Sequence, residues 1–331
     1  MNALQSWVKL SPSVEIILFG EEEGIAEAAS HFGARYIPEV SRNECGTPLL
    51  DDVFLKAQAM ARHNILCYVN ADIILMSDIV KAVEHVQKKK KVFLMVGRRW
   101  NIDLGRPLDF SQPDWQEKLR ASVLRSGKPT PPEWIDYFVF PRSFYRGLLP
   151  FALGRAGFDN WLLWKAHSLG APIIDASQAV MVVHQNHDYS HHPQGQKGVW
   201  EGAEAKRNQQ LMGGWHHCFT LSNATHELTA GGLKRKSMKE RLVRVVWARG
   251  MARLLIRLLI WTKPLRDRFG LNKSNIDRLL KTLKRGSPFS IEMNRWWILF
   301  NRTFFLQKKI QGQRPDVNEV QTRRLLRVRK R

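Results

Sequence analysis

Only three cysteines occur in 331 residues, Cys45, Cys67 and Cys218, and they share no metal-ligand spacing. So odd and scattered a set suggests neither a disulfide framework nor a zinc site. Cys67 lies within an apolar run and is expected in the core. No stretch of about 20 residues is apolar and free of charge, so no membrane-crossing helix is expected. The opening Met1-Asn2-Ala3-Leu4 lacks the charged and apolar sections of a secretory signal, which makes a cytoplasmic location the expectation. No internal repeat is visible.

Acidic residues are scarce in one part of the chain only. From Leu233 onward there are 28 of the 52 Lys+Arg but 6 of the 30 Asp+Glu, which leaves 24 of each before it. The formal charge of +22 therefore belongs entirely to the last hundred residues or so. We expect two parts: a neutral globular domain over 1–232 and a basic tail over 233–331, suited to phosphate-rich partners.

The front part alternates strand and helix signals, the pattern of an α/β fold with a mostly parallel sheet and helices on both faces. Strands are expected at Val14–Phe19, Ala34–Val40, Asn64–Leu75, Val92–Val96, Asp136–Phe140 and Pro172–Val183. Helices are expected at Met1–Leu10, Glu21–Phe32 (ending at Gly33), from Thr47-Pro48 to Arg62, from Ser77 to Val86, at Pro113–Leu124 and at Asp159–Leu169.

Two polar residues interrupt the Asn64–Leu75 run. Asn70 and Asp72, at i and i+2, would point to one face of a strand near its carboxyl end. Open α/β sheets bind ligands at that edge. A carboxylate there can hold a hard divalent cation, or it can cap the following helix. Farther on, Gly157-Phe158-Asp159-Asn160-Trp161 opens a helix with an acid at its start. There Asp159 can act as a base or simply favour the helix's positive end. The segment Val183-His184-Gln185-Asn186-His187-Asp188-Tyr189-Ser190-His191-His192 packs four histidines behind a strand. Neutral imidazole is a common metal ligand, although an exposed polar loop or a buttressing histidine fits the same residues.

The order of strands and helices, with Asn70-Ala71-Asp72 after an apolar strand and the late acidic helix at Asp159, resembles the GT-A glycosyltransferases, in particular family-2-like members. The likeness spans roughly residues 2–232. It implies a nucleotide-sugar donor, an acceptor of unknown type, and Mn²⁺ or Mg²⁺ as cofactor. By resemblance Asp72 is the metal ligand with Asn70 beside it in place of the motif's first aspartate. His184 completes the metal shell, with His187 next, and Asp159 is the base. On its residues alone the polar loop from Ser41 to Asp52, running into a helix, either faces the donor, with Arg42 on its diphosphate and Asp51 on a base or ribose hydroxyl, or is a surface feature. Arg98-Arg99-Trp100 would supply a cation and a stacking face, with Arg98 as the donor contact. The family also opens with a strand that contacts the nucleobase, whereas Met1–Leu10 reads as the helix after it. Either that strand is encoded upstream or part of the nucleotide site has been lost.

In the tail, Arg241, Arg244, Arg249, Arg253 and Arg257 recur at helical spacing within the apolar Ser237–Thr262 segment. Such a helix suits an anionic membrane interface, with Trp247 and Trp261 at the boundary and the Trp296-Trp297 cluster beyond. Broad apolar faces fit lipid better than the phosphate ladder of a nucleic acid. The sequence thus points to a metal-dependent glycosyltransferase peripheral to the membrane. A nucleotidyltransferase, or a non-catalytic membrane-surface or nucleic-acid-binding protein on a degenerate GT-A domain, is the alternative.

Overall fold

The computed structural model describes residues 1–10, 14–187 and 195–237. The basic amphipathic helix and aromatic cluster expected in the tail, together with Asp188, His191 and His192, lie outside the described residues. Among the described residues no helix is long and apolar enough to cross a membrane.

The chain opens with α1 (Asn2–Val8), β1 (Ile17–Phe19), α2 (Ile25–Phe32), β2 (Arg35–Ile37) and α3 (Leu50–Met60). It continues through β3 (Ile65–Val69), β4 (Ile73–Ile74), α4 (Asp78–Lys89), β5 (Leu94–Val96) and β6 (Arg99–Ile102). Next come α5 (Trp115–Ser126), β7 (Lys128–Pro129), β8 (Tyr137–Pro141), α6 (Phe158–Ser168), β9 (Ile173–Asp175) and β10 (Val182–Gln185). Last are α7 (Gly195–Glu201), α8 (Ala203–Met212), β11 (His226–Thr229) and β12 (Gly232–Arg235).

The main sheet has the order β12-β11-β9-β5-β8-β3, a smaller one the order β4-β10-β6-β7, and β1 pairs with β2 alone. Alternation along the strands builds a core on each face of the main sheet. Leu94, Val96, Phe138, Phe140 and Ile173 pack with Leu50 and Phe54 of α3 and Trp161 and Leu162 of α6. Their neighbours Phe93, Met95, Tyr137, Val139 and Ile174 pack with Trp7 of α1 and Ile79, Ala82 and Val86 of α4. The small sheet has its own cover, with Ile74, Ile102 and Val183 against Trp115, Leu119 and Val123 of α5.

The α/β architecture with helices on both faces is as expected, but the sheet is mixed rather than mostly parallel. β5, β9 and β11 are parallel, whereas β8 runs antiparallel between β5 and β3, and β12 antiparallel to β11. Parallel pairing needs a crossover that returns the chain to the same end of the sheet. α5 packs on the small sheet instead, so the chain re-enters at the carboxyl edge and β8 runs the other way.

Several local expectations also shift. The Asn64–Leu75 segment is broken after Val69 by a turn, closed by Ile73 N donating to Asn70 O at 3.2 Å, and its second part pairs with β10 in the other sheet. The Pro172–Val183 segment divides in the same way between β9 and β10, turned at Asp175 whose Oδ1 accepts from Ser177 Oγ at 2.6 Å. α3 begins at Leu50, not after Thr47, because Leu49 and Arg42-Pro48 form bridges that keep the loop extended. Ser77 does precede α4, but its hydroxyl donates to Gln116 Oε1 at 2.8 Å instead of capping the helix. α2 starts later than expected, since Gly24 takes φ 87°, and it closes at Gly33 as expected, with φ 63°. Cys67 is exposed, not in the core, because β3 is the edge strand of its sheet.

Candidate active site

The carboxyl ends of β3, β5 and β9 share one edge of the main sheet, and the small sheet stands off that edge. Asp72 follows β3 there, Arg99 opens β6, and Asp136 immediately precedes the antiparallel β8. β10 runs parallel to β6 and antiparallel to β4, which brings His184 opposite Ile73 and next to Asp72. Residues 112 positions apart in sequence therefore meet because β4 and β10 are paired.

Asp72 Oδ2 lies 3.1 Å from His184 Nε2 and 3.2 Å from His187 Nε2. The three ligand-type atoms fall within 4.8 Å of one another. His184 is 5% exposed, whereas the side chains of Asp72 and His187 are about one-third exposed at 32% and 35%. Asp72 Oδ1 and His184 Nδ1 are buried without hydrogen-bond partners. Burial pushes the Asp72 carboxyl up, but hydrogen bonds from His184 and His187 and the charge of Arg99 outweigh it and hold the group below its usual value.

Behind this cluster sits a buried ion pair. Arg99 Nη1 donates to Asp136 Oδ1 at 2.6 Å, with side-chain exposures of 10% and 8%. Asn70 Nδ2 donates to the same oxygen at 2.8 Å, and Asn70 N to Asp136 O at 3.0 Å. Asp136 keeps Oδ2 unpaired, and burial raises its carboxyl against the pull of Arg99. The Arg99 guanidinium also bonds Asn101 Oδ1 at 3.0 Å and lies 5.2 Å from the Trp134 ring.

α6 opens beside this pair. Asn160 Nδ2 donates to Glu133 O at 3.2 Å and Phe219 O at 2.9 Å, so residue 160 ties the helix start to neighbouring backbone. Asp159 is half-buried with Oδ1 unpaired, and burial pushes it to about 7. The Asp136 charge adds to that rise, while backbone N–H groups at the helix start oppose it. The Tyr68 hydroxyl is raised first by burial and then by the charges of Asp136, Asp159 and Asp72.

The structure thus gathers Asp72, His184, His187 and Asp159 at one edge, and it redirects other expected contacts. Asn70 does not share a face with Asp72; the turn at 70–72 sends it to Asp136. Arg98 is exposed, and the cation that enters the site is Arg99, since alternation points only one of the two inward. Arg42 is engaged by Glu22 at 2.9 Å, Glu21 at 3.4 Å and Gly46 O at 2.7 Å, which neutralises it locally. Asp51 lies in the first turn of α3 with Oδ1 buried and unpaired. The loop around Arg42 is held by Asn43 and Arg155, which both bond Glu204 of α8, at 2.6 Å and 2.8 Å. Sequence reasoning missed Asp136 and the inward role of Arg99. The one available signal was an acid at the head of an otherwise apolar strand.

No family model matches this chain. No curated protein matches it either. Among solved structures it is similar to one described as a crystal structure of a mycobacterial protein, at 16% identity and a TM-score of 0.39, covering 66% of this chain and 70% of that one.

Proposed function

We propose that this protein is a metal-dependent glycosyltransferase of GT-A-like design, moving a sugar from a nucleoside diphosphate onto an acceptor hydroxyl. The observation that carries the reading is the convergence of His184 and His187 on Asp72 at the carboxyl edge of the sheet. Ligands held about 2.1 Å from a common ion at right angles stand about 3 Å apart, so separations of 3.1 and 3.2 Å fit a shared cation. Imidazole beside carboxylate suits Mn²⁺ better than Mg²⁺. Such an ion would neutralise the diphosphate as it leaves.

The chain's own residues supply the rest. Asp159, poised near neutrality, accepts the acceptor's proton as its oxygen bonds the anomeric carbon and the bond from that carbon to the diphosphate breaks. Arg99 and Asn70 hold Asp136 in place and keep the floor of the site rigid. The basic tail would add contact with an anionic membrane surface, a reading that rests on its arginine spacing alone.

The test is calorimetric titration with Mn²⁺, followed by incubation with a panel of nucleoside diphosphate sugars. Expected are metal binding and metal-dependent release of nucleoside diphosphate, with a loss of at least about a hundredfold in Asp72→Ala. Full activity in that variant would reject the reading. Pyrophosphate as the product would assign nucleotidyl transfer, and absence of both metal and nucleotide binding would leave a non-catalytic protein.

A further inference from the structure

Polar atoms buried without a partner are not spread evenly over the described residues. Glu133 Oε2, Asp136 Oδ2, Asp159 Oδ1 and Trp200 Nε1 all belong to side chains around the Arg99–Asp136 pair and the start of α6. Stability alone gives no reason to leave four such atoms in one place, and each calls for an explanation, of which a bound group that supplies the partners is one. Beside them lie two partly exposed indoles, Trp134 and Trp200, with ring centroids 5.9 Å apart and planes inclined by 32°. Trp134 follows Glu133 directly, and Trp200 comes from α7. The backbone of Glu133 is fixed to α6 through Asn160, one residue from Asp159.

We propose that Trp134 and Trp200, with Glu133 and Asp159, form the acceptor subsite, and that the acceptor is a neutral carbohydrate ring. Two carboxyl groups can bond to hydroxyls and one indole N–H can donate to a hydroxyl oxygen, which matches a group that is both donor and acceptor. Arg99, the cation beside Trp134, is already paired with Asp136 and so is not free to hold an anionic acceptor. The C–H face of a sugar ring suits an indole, whose large apolar surface carries a polar handle at one end. Side-chain adjustment of the kind that accompanies binding brings the buried oxygens to the hydroxyls. This assignment deepens the glycosyltransferase reading and rests on it for the name acceptor.

The experiment is a glycan array probed with the full chain in the presence of EDTA, so that neither metal nor donor is needed. Expected is retention on at least one class of neutral glycan, weakened tenfold or more in Trp200→Ala and within threefold of the original protein in Trp200→Phe. Absence of any neutral glycan binding, equal binding by Trp200→Ala, or retention on anionic glycans alone would overturn the proposal. Mn²⁺ calorimetry on the same variants separates the two readings. Unchanged metal binding with no glycan binding removes the subsite and leaves the metal site standing, whereas the converse removes the metal site.

Discussion

Asp159 occupies the second position of α6, where the positive end of a helix ordinarily favours a carboxylate. Burial wins over that field and takes the group to about 7. The folded protein therefore keeps a proton that the unfolded chain, with an aspartate near its usual value of about 3.9, gives up. Between roughly pH 4 and pH 7 stability falls as pH rises, because the folded state binds more protons than the unfolded one. Asp159→Asn should thus melt a few degrees higher than the original protein at pH 8 and equally at pH 4, while the proposed sugar transfer, expected to rise through pH 7 in the original, should be lost. A variant that melts lower at pH 8 would show the carboxylate to be stabilising instead. Leaving a buried polar atom unpaired costs about 1–3 kcal/mol, so such residues are retained against stability. What was legible at this scale was residue type near a strand or helix end: Asp72, His184 and Asp159 stand out in the sequence as polar residues bordering apolar runs. The choice of Arg99 over its neighbour was not, since parity on a strand cannot be read until its first residue is known.

That parity is set by the junction between β5 and β6. Gly97 sits where the chain leaves the main sheet for the small one, and a Cβ there would meet the Tyr137 hydroxyl and stand 3.2 Å from Ser177 N. Tyr137 is fully buried, so the clash has no easy outlet. Gly97→Ala is expected to cost about 1–3 kcal/mol in denaturant unfolding and to weaken Mn²⁺ binding, because β6 aligns β10 and through it His184. Unchanged stability and affinity would mean that the junction yields. The same junction explains why strands were found but their partners were not. Val92 to Val96 announces a strand by composition, whereas the direction of β8 depends on which sheet α5 covers, a tertiary matter. Likewise the turn at Asn70 is hidden in a run that reads as one strand, because both of its halves are apolar.

Across the whole molecule, charge divides the chain more sharply than any motif. The neutral front holds the three apolar cores, and the tail from Leu233 carries the excess of +22. Yet Gly232–Arg235 forms the outermost strand of the main sheet, so the first residues of the basic segment belong to the fold. Truncation after Ser237 should leave thermal unfolding and Mn²⁺ binding intact while abolishing flotation with phosphatidylglycerol vesicles; equal flotation without the tail would refute its role. That shortened chain would also be harder to keep dispersed. β3 ends its sheet with a row of backbone amides and carbonyls that pair with nothing else among the described residues, an invitation to another copy's strand. Cut after Ser237 the chain carries 27 basic against 24 acidic residues, where the full chain has a formal charge of +22, so little net repulsion would hold its copies apart, and light scattering should show it associating at concentrations where the full chain stays dispersed.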